Sequence, residues 1–147
     1  MSRFRNVIAV FIAAAGVTLA GCDLPRDPHG TTEKVRGTTL TVGVEAEEEP
    51  SDRRERAALE RLADRLDADL VYERGELHRL VKRLEDGKID LIAGHLPRTT
   101  PFAGELGTTA AVSSMTLGDR QVKTVFAIRK GENGFLAEVE KAIGETP

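Results

Sequence analysis

Residues 84–94, LEDGKIDLIAG, constrain the fold more than any other stretch, because a helix ends, a glycine turns and a buried strand begins within them. Leu77, Leu80, Val81 and Leu84 recur at the i, i+3, i+4, i+7 spacing of one helix face. Gly87 then falls where a left-handed C-terminal cap sits. Ile89, Leu91, Ile92 and Ala93 make an apolar run too short for another helix. A strand entered from a helix that itself followed a strand predicts a parallel βαβ crossover. The chain is therefore expected to be α/β.

The remaining elements fit around that unit. Residues 39–44 (TLTVGV) are β-rich and predict a central first strand, with Glu45 at its carboxyl end. After Glu47, Glu48, Glu49 and Pro50, Ser51 is placed to cap a helix whose first turn holds Asp52 and Glu55. Ala58, Leu59, Leu62, Ala63 and Leu66 form its apolar stripe, and Arg53, Arg54, Arg61, Asp64 and Arg65 its solvated faces. Leu70, Val71 and Tyr72 predict a second strand, residues 122–128 (VKTVFAI) a further one, and Leu136, Val139, Ala142 and Ile143 a last amphipathic helix. Residues 95–107 are a loop rich in Pro, Gly and Thr, emerging where the third strand leaves the sheet. The expectation is a single domain: a mostly parallel sheet of four or five strands flanked by three helices, around one modest core.

The start of the chain has a different character. Arg3 and Arg5 precede an apolar run over residues 7–17, too short to span a bilayer comfortably but suited to a signal-peptide core. The run closes on Leu19-Ala20-Gly21-Cys22, which resembles the lipobox of bacterial lipoproteins, whose cysteine becomes the acylated first residue. Cys22 is the only cysteine, and the competing reading is a free or intermolecular thiol. Several acyl chains on one residue would anchor the protein to a membrane without spanning it. Asp23 resembles the inner-membrane retention signal of enterobacterial lipoproteins. Pro25, Pro28, Gly30 and Gly37, among scattered charges and without periodicity, predict a tether. The expected division is a signal peptide over residues 1–21, a lipid-anchored tether over 22–37 and a folded lobe over 38–147, facing the periplasm.

Loss of residues 1–21 removes two bases and no acid, leaving 19 basic against 24 acidic residues, a net charge of −5. With no Trp and only Tyr72, Phe102, Phe126 and Phe135 as aromatics after the leader, nucleic acid is excluded as an expected partner.

Several segments in order, TLTVGVE, LVYERGELHRLVKRLEDGKIDLIAG and VFAIRKGENGFLAEVEKAI, resemble lobe one of the family 3 extracellular solute-binding proteins of ABC importers. The resemblance implies one lobe of a type 2 periplasmic-binding-protein fold and binding of an amino acid or similar polar solute. The chain is also similar to short lipoproteins described as substrate-binding-domain proteins, which share the LPRDP segment after the cysteine and a TPF or TPW loop. Two departures stand out. The family inserts a second lobe of about a hundred residues, the size of a domain of its own, where this chain has only residues 105–121. The Thr-Pro-Glu-Arg of the family, whose arginine binds a substrate carboxylate, is here Thr100-Pro101-Phe102-Ala103.

Ligands of open parallel sheets settle at the carboxyl ends of the strands, an edge that here carries Glu45, Glu73, Arg74, His95 and Arg98. The resemblance places Glu45 where family members contact a substrate amino group. Arg98, or the hydroxyls of Thr99 and Thr100, would hold an anionic group, and Phe102 would line the site. The same residues also read as solvated loop positions and local caps. No metal is expected, since His95 has no HxxxH partner and Cys22 stands alone. No cofactor and no catalysis are expected either, for want of a GxSxG elbow, a P-loop or a nucleophile and base pair. The function read from sequence is a membrane-anchored solute-binding or accessory subunit beside an ABC-type transporter or a sensor. The alternative is a scaffold lipoprotein that docks on such a partner and binds no solute.

Overall fold

The computed structural model describes residues 26–45 and 52–145. The chain order is α1 (Thr31–Val35), β1 (Thr39–Glu45), α2 (Arg53–Leu66), β2 (Asp69–Gly75), α3 (Leu77–Glu85), β3 (Leu91–Ile92), β4 (Leu106–Thr108), β5 (Ser113–Leu117), β6 (Arg120–Thr124), β7 (Ala127–Arg129) and α4 (Asn133–Gly144). Five strands make the main sheet in the order β2-β1-β3-β7-β4. β1 pairs in parallel with β2 and β3, and β7 lies antiparallel between β3 and β4. Four strands thus run one way and β7 alone opposes them, the mostly parallel α/β sheet expected from the βαβ unit.

Two-residue alternation divides the core between the faces. Leu40, Val42, Val44 and Leu91 point to one side, where they pack with Leu59, Leu62 and Leu66 of α2 and Phe135 and Val139 of α4. Ile92 and Ala127 point to the other, against Leu80, Val81 and Leu84 of α3. Each fully buried Leu, Ile or Phe contributes about 1.5–3 kcal/mol. Arg65 of α2 ties the two helices of the first face together by ion pairs of 3.1 Å each to Glu138 and Glu145.

The helix ends follow local chemistry. Asp52 caps α2, its carboxylate accepting the Arg54 N–H at 2.7 Å, while Ser51, expected in that role, lies outside the described residues. α3 stops as its sequence predicts. Gly87 takes φ 70°, its N–H donates to the Leu84 carbonyl at 3.0 Å, and the Lys88 N–H donates to that of Arg83 at 2.8 Å. That is a Schellman cap, and a side chain at position 87 would also run into the Arg129 guanidinium.

Three expectations need correction. Residues 122–128 are not one strand. Thr124 ends β6 in a hairpin with β5, and the chain changes partners through buried Val125 and Phe126, which enter opposite core clusters, before β7 begins. A uniformly apolar run hides such a switch. Residues 105–121, read only as a short stand-in for the second lobe, form β4, β5 and the turn of that hairpin. Finally, the described part of the expected tether, residues 26–37, is packed. Val35 is fully buried in the core and Lys34 reaches the buried Asp90 at 2.7 Å. Ordering comes from specific polar contacts, which carry no periodic signature. Among the described residues no helix is long and apolar enough to cross a membrane.

Candidate functional site

The carboxyl ends of β1 and β3 finish level with each other. Val42 pairs with Leu91 and Gly43 with Ile92, and the Ala93 N–H donates to the Gly43 carbonyl at 2.9 Å, so the register brings Glu45 to the height of Gly94. Gly75, the last residue of β2, lies opposite Glu45 on the other side.

Beyond β3 the chain turns through two left-handed residues, Gly94 at φ 93° and His95 at φ 52°. A non-glycine residue adopts that conformation at a cost, so something must hold it there. Glu55 does. Its Oε2 accepts the N–H of Gly94 at 3.2 Å and leans on that of His95 at 3.4 Å, filling the small anion nest that successive N–H groups of such a turn create. Glu55 is fully buried, although its place in the sequence suggests only a favourable charge in the first turn of α2.

The cluster around Glu55 is not fully satisfied. Its Oε1 lies beside the Thr124 hydroxyl without a well-formed hydrogen bond, and among the described residues the buried hydroxyl of Thr100 has no partner. Buried polar atoms are normally paired, so the under-satisfied oxygens of Glu55 and Thr124 set this end of the domain apart. Burial raises the pKa of Glu55. The His95 N–H and the field of His95 work against that rise, as does the neighbouring Thr124 hydroxyl, while the charge of Asp52 adds to it. Asp52 shifts the other way. Burial acts to raise it, but the Ser113 hydroxyl, the N–H groups of Arg54 and Glu55 and the field of His95 outweigh that and lower it.

The β5–β6 hairpin rises from this same end. The Ser113 hydroxyl donates to Asp52, Thr124 bridges to Pro97, and the Arg98 N–H donates to the Lys123 carbonyl at 3.0 Å. Met115 pairs with Val122 on one face of the hairpin, and Leu117 beside its turn is 59% exposed.

The expected site residues separate accordingly. Glu45 and His95 are half-buried at the carboxyl edge, Arg98 and Thr99 are exposed beyond it, and Thr100 is buried. Phe102 stands elsewhere. The loop runs down the flank of the sheet to begin β4, whose Leu106 pairs with Arg129 at the far end of β7, and Phe102 packs on the α3-side cluster. Glu73 is also committed, forming an ion pair with Arg83 of α3. Sequence reasoning missed Glu55, Asp52 and Thr124 as members of the cluster. For Glu55 a signal existed, because Glu55, Leu59, Leu62 and Leu66 fall on one helical stripe, so the carboxyl had to be buried. Among the described residues no three His, Cys, Asp or Glu side chains are grouped to hold a metal ion.

No protein-family model and no curated protein matches the sequence. Solved structures share its fold. The arginine-bound form of domain 1 from TmArgBP is 20% identical, with a TM-score of 0.62 over 74% of this chain and 93% of that one. The P235GK mutant of ArgBP from T. maritima is 13% identical, with a TM-score of 0.65 over 78% of this chain and 92% of that one. The unliganded, open L-cystine solute receptor of Neisseria gonorrhoeae is 12% identical, with a TM-score of 0.61 over 78% and 90%. The architecture is that of one lobe of a type 2 periplasmic binding protein, as the sequence resemblance implied.

Proposed function

We propose that this protein is an extracytoplasmic solute-binding lobe that holds a small polar solute of the amino-acid class at the carboxyl edge of its sheet. The observation that supports the reading is the fully buried Glu55 carboxylate, whose Oε1 makes no well-formed hydrogen bond, held under the β3 turn at the edge that carries Glu45 and His95. Its chemistry suits a ligand with an ammonium or guanidinium group, which supplies donors to Glu45 and to Glu55 Oε1. In this reading Arg98 and the Thr99 hydroxyl would meet the opposite, carboxylate end. An arginine-bound structure of a lone domain 1 with this fold supports the idea that one lobe suffices to hold such a solute. Affinity should be modest, because a single wall leaves the ligand half exposed.

The leader over residues 1–21, acylation at Cys22 and inner-membrane placement by Asp23 belong to the same proposal, as does association with an ABC-type transporter. Catalysis is no part of it. A second reading, a docking lipoprotein without a solute, draws on the hairpin, whose Met115, Val122 and Leu117 give it an apolar face where a second lobe would otherwise attach. Isothermal titration with arginine, lysine, cystine and neutral amino acids separates the two. Saturable heat that disappears in Glu45→Ala supports the solute site, and no heat at millimolar ligand supports the docking reading.

A further inference from the structure

The residues just after the lipobox are clasped to the domain by two acids that serve each other's segments. Glu132, fully buried, accepts the His29 N–H on Oε1 at 2.8 Å and the Thr31 N–H on Oε2 at 2.9 Å, satisfying the first turn of α1. Asp27 does the converse. Its Oδ1 accepts the Phe135 N–H at the start of α4 at 2.7 Å, and its Oδ2 accepts the N–H of Thr32 at 3.0 Å and the Thr32 hydroxyl. The Arg26 carbonyl takes the N–H groups of Asn133 and Gly134, at 2.9 and 3.2 Å. Gly134 is what permits the approach, since a Cβ there would lie 2.9 Å from Asp27 Oδ1. Arg26 and Asp27 belong to the LPRDP segment, for which the solute site has no use.

The position of the clasp matters as much as its strength. It lies where β1 begins and β7 ends, opposite the edge that carries Glu45 and Glu55. Between Cys22 and Arg26 stand only Asp23, Leu24 and Pro25. Even fully extended, that link spans at most about 14 Å. Arg26, Lys88 and Lys130, all exposed, surround the same end, Lys88 leading into β3 and Lys130 leaving β7. Basic groups at that height suit an anionic phospholipid surface.

We infer that residues 26–37 act as a strap that seats the amino edge of the sheet on the lipid surface and holds the solute edge directed away from the bilayer. This rests on acylation of Cys22. A free tether would let the domain tumble, whereas a docked strap fixes which edge meets lipid and which meets solute or a partner.

The test uses the full acylated chain in vesicles of phosphatidylethanolamine and phosphatidylglycerol. Acylation consumes the Cys22 thiol, so a single fluorophore can be placed at Lys130→Cys or at Asp119→Cys, on the hairpin turn. Headgroup nitroxide lipids should quench the label at 130 several-fold more than that at 119. A Gly/Ser insert between Pro25 and Arg26, which leaves the clasp intact, should erase the difference, and so should Asp27→Ala combined with Glu132→Gln. Equal quenching at both positions in the acylated parent protein would overturn the strap. A chain that carries no acyl group and fails to float with vesicles overturns the anchor and the strap together, and its mass distinguishes that result from the first.

Discussion

The two ends of the sheet handle buried charge in opposite ways. At the amino edge every described buried carboxylate is used up: Glu132 and Asp90 each accept on both oxygens, Asp90 from Lys34 and the Thr41 N–H. At the carboxyl edge Glu55 uses one oxygen on the β3 turn, while the other has the Thr124 hydroxyl beside it without a well-formed hydrogen bond. A closed network contributes stability and offers nothing to a ligand. An open one gives up stability and keeps acceptors for something else, which is the usual mark of a functional site.

That contrast can be broken first at the amino edge. Glu132→Ala leaves two N–H groups of the strap without acceptors and should destabilise the domain by about 2–4 kcal/mol, read as a fall in denaturant midpoint with little change in slope. A loss below about 0.5 kcal/mol, the level of an ordinary surface substitution, would show that the clasp is not structural.

Glu55→Gln probes the other edge and should act through pH. The folded-state pKa of Glu55 is raised, so its favourable contribution is present at low pH and is lost as pH rises from the ordinary glutamate range through the raised value. The glutamine variant keeps a carbonyl for the Gly94 and His95 N–H groups and carries no charge. Its stability relative to the parent should therefore improve with rising pH across that window. A flat difference from pH 4 to pH 8 would remove the case for a buried, charge-strained Glu55.

Thr124→Val should cost least. Its hydroxyl touches Glu55 without forming a good hydrogen bond, so replacing it with a methyl should change stability by no more than about 0.5 kcal/mol, while weakening solute binding measurably. A destabilisation comparable to that of Glu132→Ala would erase the distinction between the edges.

How much of this could be read in the chain depended on whether the signal was periodic. The α3–Gly87–β3 unit was legible because three-to-four spacing, a glycine cap and a short apolar run each have their own pattern. The layering was legible too, through Leu40, Val42 and Val44 alternating with Thr41 and Gly43. The break within residues 122–128 was not, since Val125 and Phe126 differ in the core they enter and not in polarity. The strap stayed hidden for a related reason. Asp27 and Glu132 are 105 positions apart, and nothing local announces that each will cap the other's segment. The position of Glu45 and His95 at the carboxyl edge of the sheet was legible from topology alone. Glu55 was within reach, as an acid standing on an apolar stripe, whereas Thr124 depended on a hairpin that the residue pattern does not resolve.

The most direct test of the open edge is calorimetric titration of the purified protein, with Cys22→Ser to keep it unacylated, against arginine in parallel with Glu45→Ala and Thr124→Val. The account predicts one saturable site, weakened by both substitutions while Glu132→Gln at the opposite edge leaves it unchanged. Arginine, lysine and cystine all failing to bind at millimolar concentration, or binding that survives both substitutions, would contradict it.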